Sequence, residues 1–69
     1  MTIGEIIQWK RKAAHITQKQ LGVMVGFPEA SAERMIQHWE HGRRPIRVED
    51  LRPLCRALHC TLEELIPLD

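Results

Sequence analysis

Apolar residues recur along this chain at intervals of three and four, the spacing of a helix with one buried face. They nowhere alternate in the period of two that marks a β-strand. Near the N-terminus, Ile3, Ile6 and Ile7 share one face, with Trp9 as a further candidate for the interior. This pattern predicts a first helix over about residues 2–13, and the chain as a whole is predicted to be all-α.

The next segment carries start and stop signals of a second helix over residues 18–25. Thr17 and Gln20 have the spacing of a capping box, in which each side chain accepts the other residue's backbone N–H. Gly26 provides a left-handed stop. The apolar face between these signals consists of Leu21, Met24 and Val25.

A third helix is predicted up to Gly42, but its start is open. Pro28 and Glu29 suit a first turn, since proline needs no N–H there and a carboxylate complements the positive helix end. Ser31 is an equally good N-cap for a helix beginning near residue 32. The apolar positions of this segment are Ala32, Ile36 and Trp39.

Two more short helices complete the prediction. Pro53 lacks an N–H, so it is placed in the first turn of a fourth helix capped by Asp50 and running to about position 58. Thr61 and Glu64 form a second capping-box pattern, and Pro67 ends the fifth helix.

Sixty-nine residues predict one small domain, residues 1–69, of marginal stability. Apolar runs are too short for an export signal or a membrane span, so we expect a cytoplasmic protein whose Cys55 and Cys60 are reduced. The net charge of +1 conceals a polarised distribution. Residues 1–47 hold eight Lys/Arg against four Glu, while residues 48–69 hold two Arg against five Asp/Glu. One basic surface suited to phosphate is therefore expected, although an ordinary solvated surface would show the same charges.

Two short helices joined by a glycine-containing turn describe a helix-turn-helix. The ordered set of motifs resembles the Cro/repressor-type family, the Xre-like or lambda-repressor-like regulators of bacteria and their phages. The matching positions are Arg11, Thr17-Gln18, Leu21-Gly22, Gly26, Ile36, Trp39-Glu40-His41-Gly42, Pro45, Leu51, Leu54, Ala57-Leu58 and Leu62-Glu63-Glu64-Leu65.

This resemblance implies a five-helix fold with the helix-turn-helix in helices 2 and 3. The implied function is sequence-specific binding of double-stranded DNA as a transcriptional repressor, with a weak homodimer on a palindromic operator. The chain departs from the family twice. His15 stands where a helix-ending glycine is usual and requires a left-handed backbone. Around residues 27–31 the usual turn is shorter by about four residues.

The resemblance also assigns the outward side chains of the third helix to base contacts. Arginine reads guanine, glutamine reads adenine, a carboxylate accepts from cytosine, and histidine donates to a base or a phosphate. A solvated helix face would be equally polar. The predicted base contacts are Glu33, Arg34, Gln37 and His38.

Phosphate contacts are predicted at the start of the second helix and in the loop after the third, because helix N-termini and loop cations bind phosphate oxygens. Gln18 would contribute its side-chain amide and nearby backbone N–H groups. The full set is Gln18, Lys19, Arg43, Arg44 and Arg47. The alternative is that the loop arginines only confer solubility.

Three structural roles follow from position in the family pattern. Arg11 and Glu40 are expected to form an ion pair beneath the recognition helix. Trp39 is expected in the core with its indole N–H on a backbone carbonyl. Gly22 is expected where the third helix crosses closely. Apolar residues beyond the needs of one small core predict the dimer interface as Ile46, Leu62, Ile66 and Leu68.

Cys55, His59 and Cys60 lie close enough in sequence to suggest a metal site, but a fourth ligand is lacking, and no metal or other cofactor is predicted. No nucleophile stands with a base, so an enzyme is not expected. Neither a small-molecule ligand nor a membrane is indicated as a partner. The alternative function is that of an antitoxin or regulatory subunit whose main ligand is a protein.

Overall fold

Five helices follow one another in the computed structural model, which describes residues 1–67. No strand occurs in this range, so the all-α prediction is confirmed. None of the helices described is long and apolar enough to span a membrane. The helices are α1 (Ile3–Ala13), α2 (Gln18–Val25), α3 (Glu29–Glu40), α4 (Val48–Leu58) and α5 (Leu62–Leu65).

The centre of the fold is the indole of Trp39, only 1% exposed and packed edge-on against Phe27 with ring centroids 5.2 Å apart. The other fully buried large side chains are Ile7, Leu21, Ile36, Leu54 and Leu65. The expectation of a carbonyl partner for the indole was wrong, because Trp39 Nε1 is buried without one. The apolar side chains of this core supply no acceptor there.

Trp9, a candidate for the interior, was misplaced, since its side chain is 64% exposed. It follows fully buried Ile7 by two positions, which is a rotation of about 200° around the helix. The buried face of α1 runs instead through Ile7 and Arg11. Ile6 is buried and Ile3 half-buried, as expected.

Two glycines allow helices to cross at backbone contact. A Cβ at Gly22 would lie 2.5 Å from the carbonyl oxygen of Ala32, so α2 and α3 approach too closely for any side chain. This is the crossing anticipated from the sequence. Gly4, which was not anticipated, does the same for α1 and the end of α3, where a Cβ would lie 2.5 Å from the Trp39 carbonyl oxygen.

The alternatives for α3 are resolved in favour of the earlier start. Pro28 is the N-cap residue, Glu29 begins the helix, and the Ser31 hydroxyl donates to the Pro28 carbonyl at 3.3 Å. The additional residues of this chain therefore add a turn to α3 rather than lengthening the loop. Gly26 ends α2 at φ 116°, as predicted.

One predicted helix start and one predicted capping box need correction. Asp50 does not cap α4, which begins at Val48, but lies in its first turn and accepts the backbone N–H of Arg47 at 3.3 Å. Pro53 consequently lies inside the helix. Thr61 caps α5 as expected, but the Glu64 carboxylate, which should complete a capping box, accepts instead from Lys10 Nζ at 2.8 Å.

Candidate nucleic-acid interface

The outward face of α3 carries the four side chains predicted to contact bases. Glu33 and Arg34 are exposed, while Gln37 and His38 are half-buried one turn later. Because α3 begins at Glu29, these residues lie in its middle, and a further exposed turn with Glu29 and Ala30 precedes them. The structure therefore places the four on one helix but not at its first turn.

Beneath this face, the structure brings Arg11 of α1 and Glu40 of α3 together. Arg11 Nε donates to Glu40 Oε2 at 2.6 Å, and Nη2 donates to Oε1 at 3.4 Å. A third donor, Nη1, contacts the Ile16 carbonyl at 2.9 Å. Both residues are buried, with 8% and 5% exposure. The guanidinium thus ties α1, the loop before α2 and the end of α3 into one unit.

A chain of side-chain amides continues from this pair to the surface. Gln18 Nε2 donates to Glu40 Oε1 at 3.0 Å, and Gln37 Nε2 donates to Gln18 Oε1 at 3.2 Å. Gln37 Nε2 also lies 3.4 Å from Glu33 Oε2. This chain was not anticipated from the sequence, since it joins residues 22 and 19 positions apart.

Glu40 determines the direction of every bond in that chain. A carboxylate only accepts, so the amide nitrogen of Gln18 must face Glu40 and its oxygen must face Gln37. The nitrogen of Gln37 then faces Gln18, and its oxygen has no hydrogen-bond partner among residues 1–67. The side-chain amide of Gln18, predicted at a phosphate, uses one of its two N–H groups on Glu40.

Backbone groups at the start of α2 are differently placed. The capping box engages the N–H groups of Thr17 and Gln20, at 2.8 and 3.0 Å. The backbone N–H groups of Gln18 and Lys19 lie between these two in the first turn, where a helix offers no internal acceptor. Lys19 itself is exposed, and its Nζ lies 3.1 Å from Glu29 on α3. Surface ion pairs of this kind are weak, so the ammonium group is available to another anion.

The loop between α3 and α4 presents the remaining predicted cations. Its start is fixed by a 2.8 Å bond from the Arg43 N–H to the His38 carbonyl, and Gly42 adopts φ 70°. Arg43, Arg44 and Arg47 are all exposed. Only Arg47 lies near an anion within the described chain, 3.9 Å from Glu49. The structure therefore places positive charge just beyond the C-terminus of α3.

The residues predicted to form a dimer interface do not share one environment. Leu62 and Ile66 are 46% and 49% exposed, whereas Ile46 packs against the core. Leu68 lies outside the described residues. Val48, which was not predicted, is 83% exposed and lines a groove with Leu62.

Within residues 1–67, no three His, Cys, Asp or Glu side chains are grouped so as to hold a metal ion.

The pKa shifts resolved at charged side chains concern contacts outside the exposed face of α3. Pairing with Lys10 lowers the pKa of Glu64, and the same pair raises the pKa of Lys10.

Comparison with known proteins gives a consistent result. A family model described as helix-turn-helix matches residues 7–65. Among solved structures, the chain is similar to the P22 c2 repressor protein, in complex with synthetic operator 9T in the presence of Tl+. The two are 33% identical with a TM-score of 0.83, over 100% of this chain and 98% of that one. No curated protein gives a significant match.

Proposed function

Because the chain belongs to the helix-turn-helix family, we propose that it binds a specific double-stranded DNA sequence and represses transcription there. The supporting observation is the exposed face of α3, held by a buried ion pair and flanked by the basic loop after it. Similarity to a repressor in complex with its operator supports the same function. The helix-turn-helix family and the similarity to a repressor both favour a DNA-binding protein rather than an enzyme.

In this proposal α3 lies in the major groove. Arg34 is exposed and has no ion-pair partner within the described residues, so its two-pronged donor set is available to guanine O6 and N7. Gln37 offers its carbonyl oxygen, which accepts from the amino group of adenine N6 or cytosine N4. Glu33 supplies further acceptors of the same kind, and His38 contacts a base or phosphate at the groove edge.

Phosphate contacts position the helix without reading sequence. We assign them to the backbone N–H groups of Gln18 and Lys19, the Lys19 ammonium group and the loop residues Arg43, Arg44 and Arg47. The buried Arg11–Glu40 pair links these groups to α3, so the DNA backbone and the bases meet one rigid surface. Pre-organisation of this kind reduces the ordering cost of binding.

We further propose that two copies bind a palindromic operator through contacts of Leu62, Ile66 and Leu68, with Ile46 of the loop before α4 as a further contact. Half-sites one helical turn apart, about 34 Å, then present successive major grooves to the two α3 helices. The apolar side chains involved are few, so the interface falls below the standard size of about 1,600 Å². The free dimer should therefore be weak and strengthened by DNA.

The binding site is identified by selecting duplexes from a randomised library and measuring fluorescence anisotropy at fixed salt. Arg34→Ala should lower the affinity for the selected duplex by about 5- to 150-fold, equivalent to 1–3 kcal/mol. It should also reduce the sequence preference at one base pair. Arg43→Ala should lower the affinity for every duplex by a similar factor, because a phosphate contact does not depend on sequence. Arg56→Ala removes an exposed arginine of α4 and serves as the matched control without effect.

Failure to select any duplex, together with capture of a host protein, would favour the antitoxin or regulatory-subunit alternative. Sedimentation across micromolar concentrations, with and without the selected duplex, tests the dimer. One subunit bound to one half-site with no gain from the second would contradict it.

A further inference from the structure

The two cysteines occupy particular positions in the C-terminal cap of α4. The Cys60 N–H bonds to the Cys55 carbonyl at 3.0 Å, and the His59 N–H bonds to the Arg56 carbonyl at 3.4 Å. His59 between them adopts the left-handed conformation, φ 52° and ψ 48°. These are the two nested bonds and the left-handed residue of a Schellman motif.

In this motif the first and last residues lie close together, and their side chains frequently pack against one another. In this chain those two side chains are both thiols. Cys55 and Cys60 are half-buried, pack against the same core and line one surface depression with Arg52 and Glu64. Both thiols are free in the structure.

We propose that Cys55 and Cys60 form a dithiol modification site, which a hydroperoxide oxidises to an intramolecular disulfide. This site is independent of the proposed DNA-binding function, since neither cysteine belongs to the α2–α3 surface. Contact between the thiols is the essential feature, because a neighbouring thiol intercepts the first oxidation product before further oxygen is added.

The reaction balances with one peroxide for two thiols. One thiolate attacks a peroxide oxygen, so that an S–O bond forms, the O–O bond breaks and the departing hydroxide or alkoxide takes a proton. The second thiolate attacks the sulfenic sulfur, an S–S bond forms, and hydroxide leaves as water. The two sulfurs lose two electrons, which the peroxide gains.

The surroundings of the two thiols should make their oxidation slow at neutral pH. Burial raises the pKa of the Cys60 thiol, and the neighbouring Cys55 and Glu64 add to the rise, while Lys10 opposes it. The thiolate is the nucleophile, so oxidation should accelerate as the pH is raised. Arg52, Arg56 and His59 of α4 are the remaining charged or titratable groups around the depression or its cap.

Tryptic mapping provides a direct test, because cleavage after Arg56 separates the two cysteines. Reduced protein is treated with hydrogen peroxide, alkylated in denaturant and digested. We expect peptides 48–56 and 57–69 to remain linked, with loss of about 2 Da and no alkylation at either cysteine. The linkage should disappear on reduction, and its rate should not depend on protein concentration.

Cys55→Ser and Cys60→Ser are the matched controls and should give covalent dimers or oxygen adducts but no internal link. Wild-type protein oxidised in denaturant should give a ratio of internal link to oxygen adducts at least tenfold lower than the native protein, since the motif is then absent. Native wild-type protein that acquires oxygen separately on each cysteine would overturn the proposal. So would thiols that stay reduced at a peroxide dose that modifies them in denaturant.

Discussion

Replacing Glu40 by alanine should destabilise the fold by about 3–5 kcal/mol, because it leaves the Arg11 guanidinium buried without its counter-charge. The Arg11 and Glu40 side chains are 9% and 0% exposed. Three of the hydrogen bonds in this cluster end on the Glu40 carboxylate, two from Arg11 and one from Gln18. Water cannot replace these bonds without opening the contact between α1 and α3.

This loss is large relative to the stability expected of 69 residues, roughly 3–10 kcal/mol. Glu40→Gln is therefore a useful second variant, since it keeps the shape and some hydrogen bonds while removing the charge. Glu64→Ala is the matched control. It removes the same charged group from a bond of similar length, the 2.8 Å contact with Lys10, but at the exposed surface. Its effect should be much smaller.

Urea unfolding followed by tryptophan fluorescence measures these losses. Trp39 is buried and reports the core, and Trp9→Phe removes the signal of the exposed indole. Combining Arg11→Ala with Glu40→Ala should recover part of the loss, since no unpaired charge is then buried. If the two single losses simply add in this double-mutant cycle, the two charges do not stabilise one another and the reasoning is refuted.

Four further results are expected. The logarithm of DNA affinity should fall with the logarithm of salt concentration at a slope of about −7 to −11 for a dimer with four to six phosphate contacts per subunit; a slope shallower than about −2 would exclude the loop arginines from the interface. Gly22→Ala should cost about 1–3 kcal/mol in urea unfolding, because its Cβ would meet Ala32 at 2.6 Å, and an unchanged midpoint would contradict this crossing. His59→Gly should stabilise by roughly 0.5–1 kcal/mol, as relief of the left-handed backbone outweighs the entropy cost of glycine, and a lower melting temperature would count against it. The Lys10–Glu64 pair lowers the pKa of Glu64, so its contribution is present above the ordinary value of 4.5 and is lost as the pH falls through the folded value. It is likewise lost at high pH, above the raised pKa of Lys10; a Glu64→Gln variant whose difference from wild type is the same at every pH would refute this.

The sequence by itself determined the helical fold and most helix ends, because those signals are local. The Thr17–Gln20 capping box and the Gly26 stop each act within one turn of the residues they order. The left-handed backbone of His15, expected from its position after α1, is present at φ 60°. The Thr2–Glu5 capping box at the start of α1 is a local signal of the same kind.

Local signals also account for the wrong helix start. A carboxylate stabilises a helix both as N-cap and in the first turn, so Asp50 alone could not distinguish the two positions. Trp9 and Trp39 show a second kind of limit. Their residue type predicts burial. Trp9 nevertheless lies on the face of α1 that turns away from the core and is exposed, whereas Trp39 of α3 is central.

Only the tertiary structure decided how the candidate site is held together. The chain from Arg11 through Glu40 and Gln18 to Gln37 joins three helices, and its bond directions depend on which acceptor lies where. The shared depression lined by Cys55 and Cys60 likewise requires the left-handed turn that ends α4. Sequence patterns report which groups are present, whereas the distances that couple them arise when distant segments pack and exclude water.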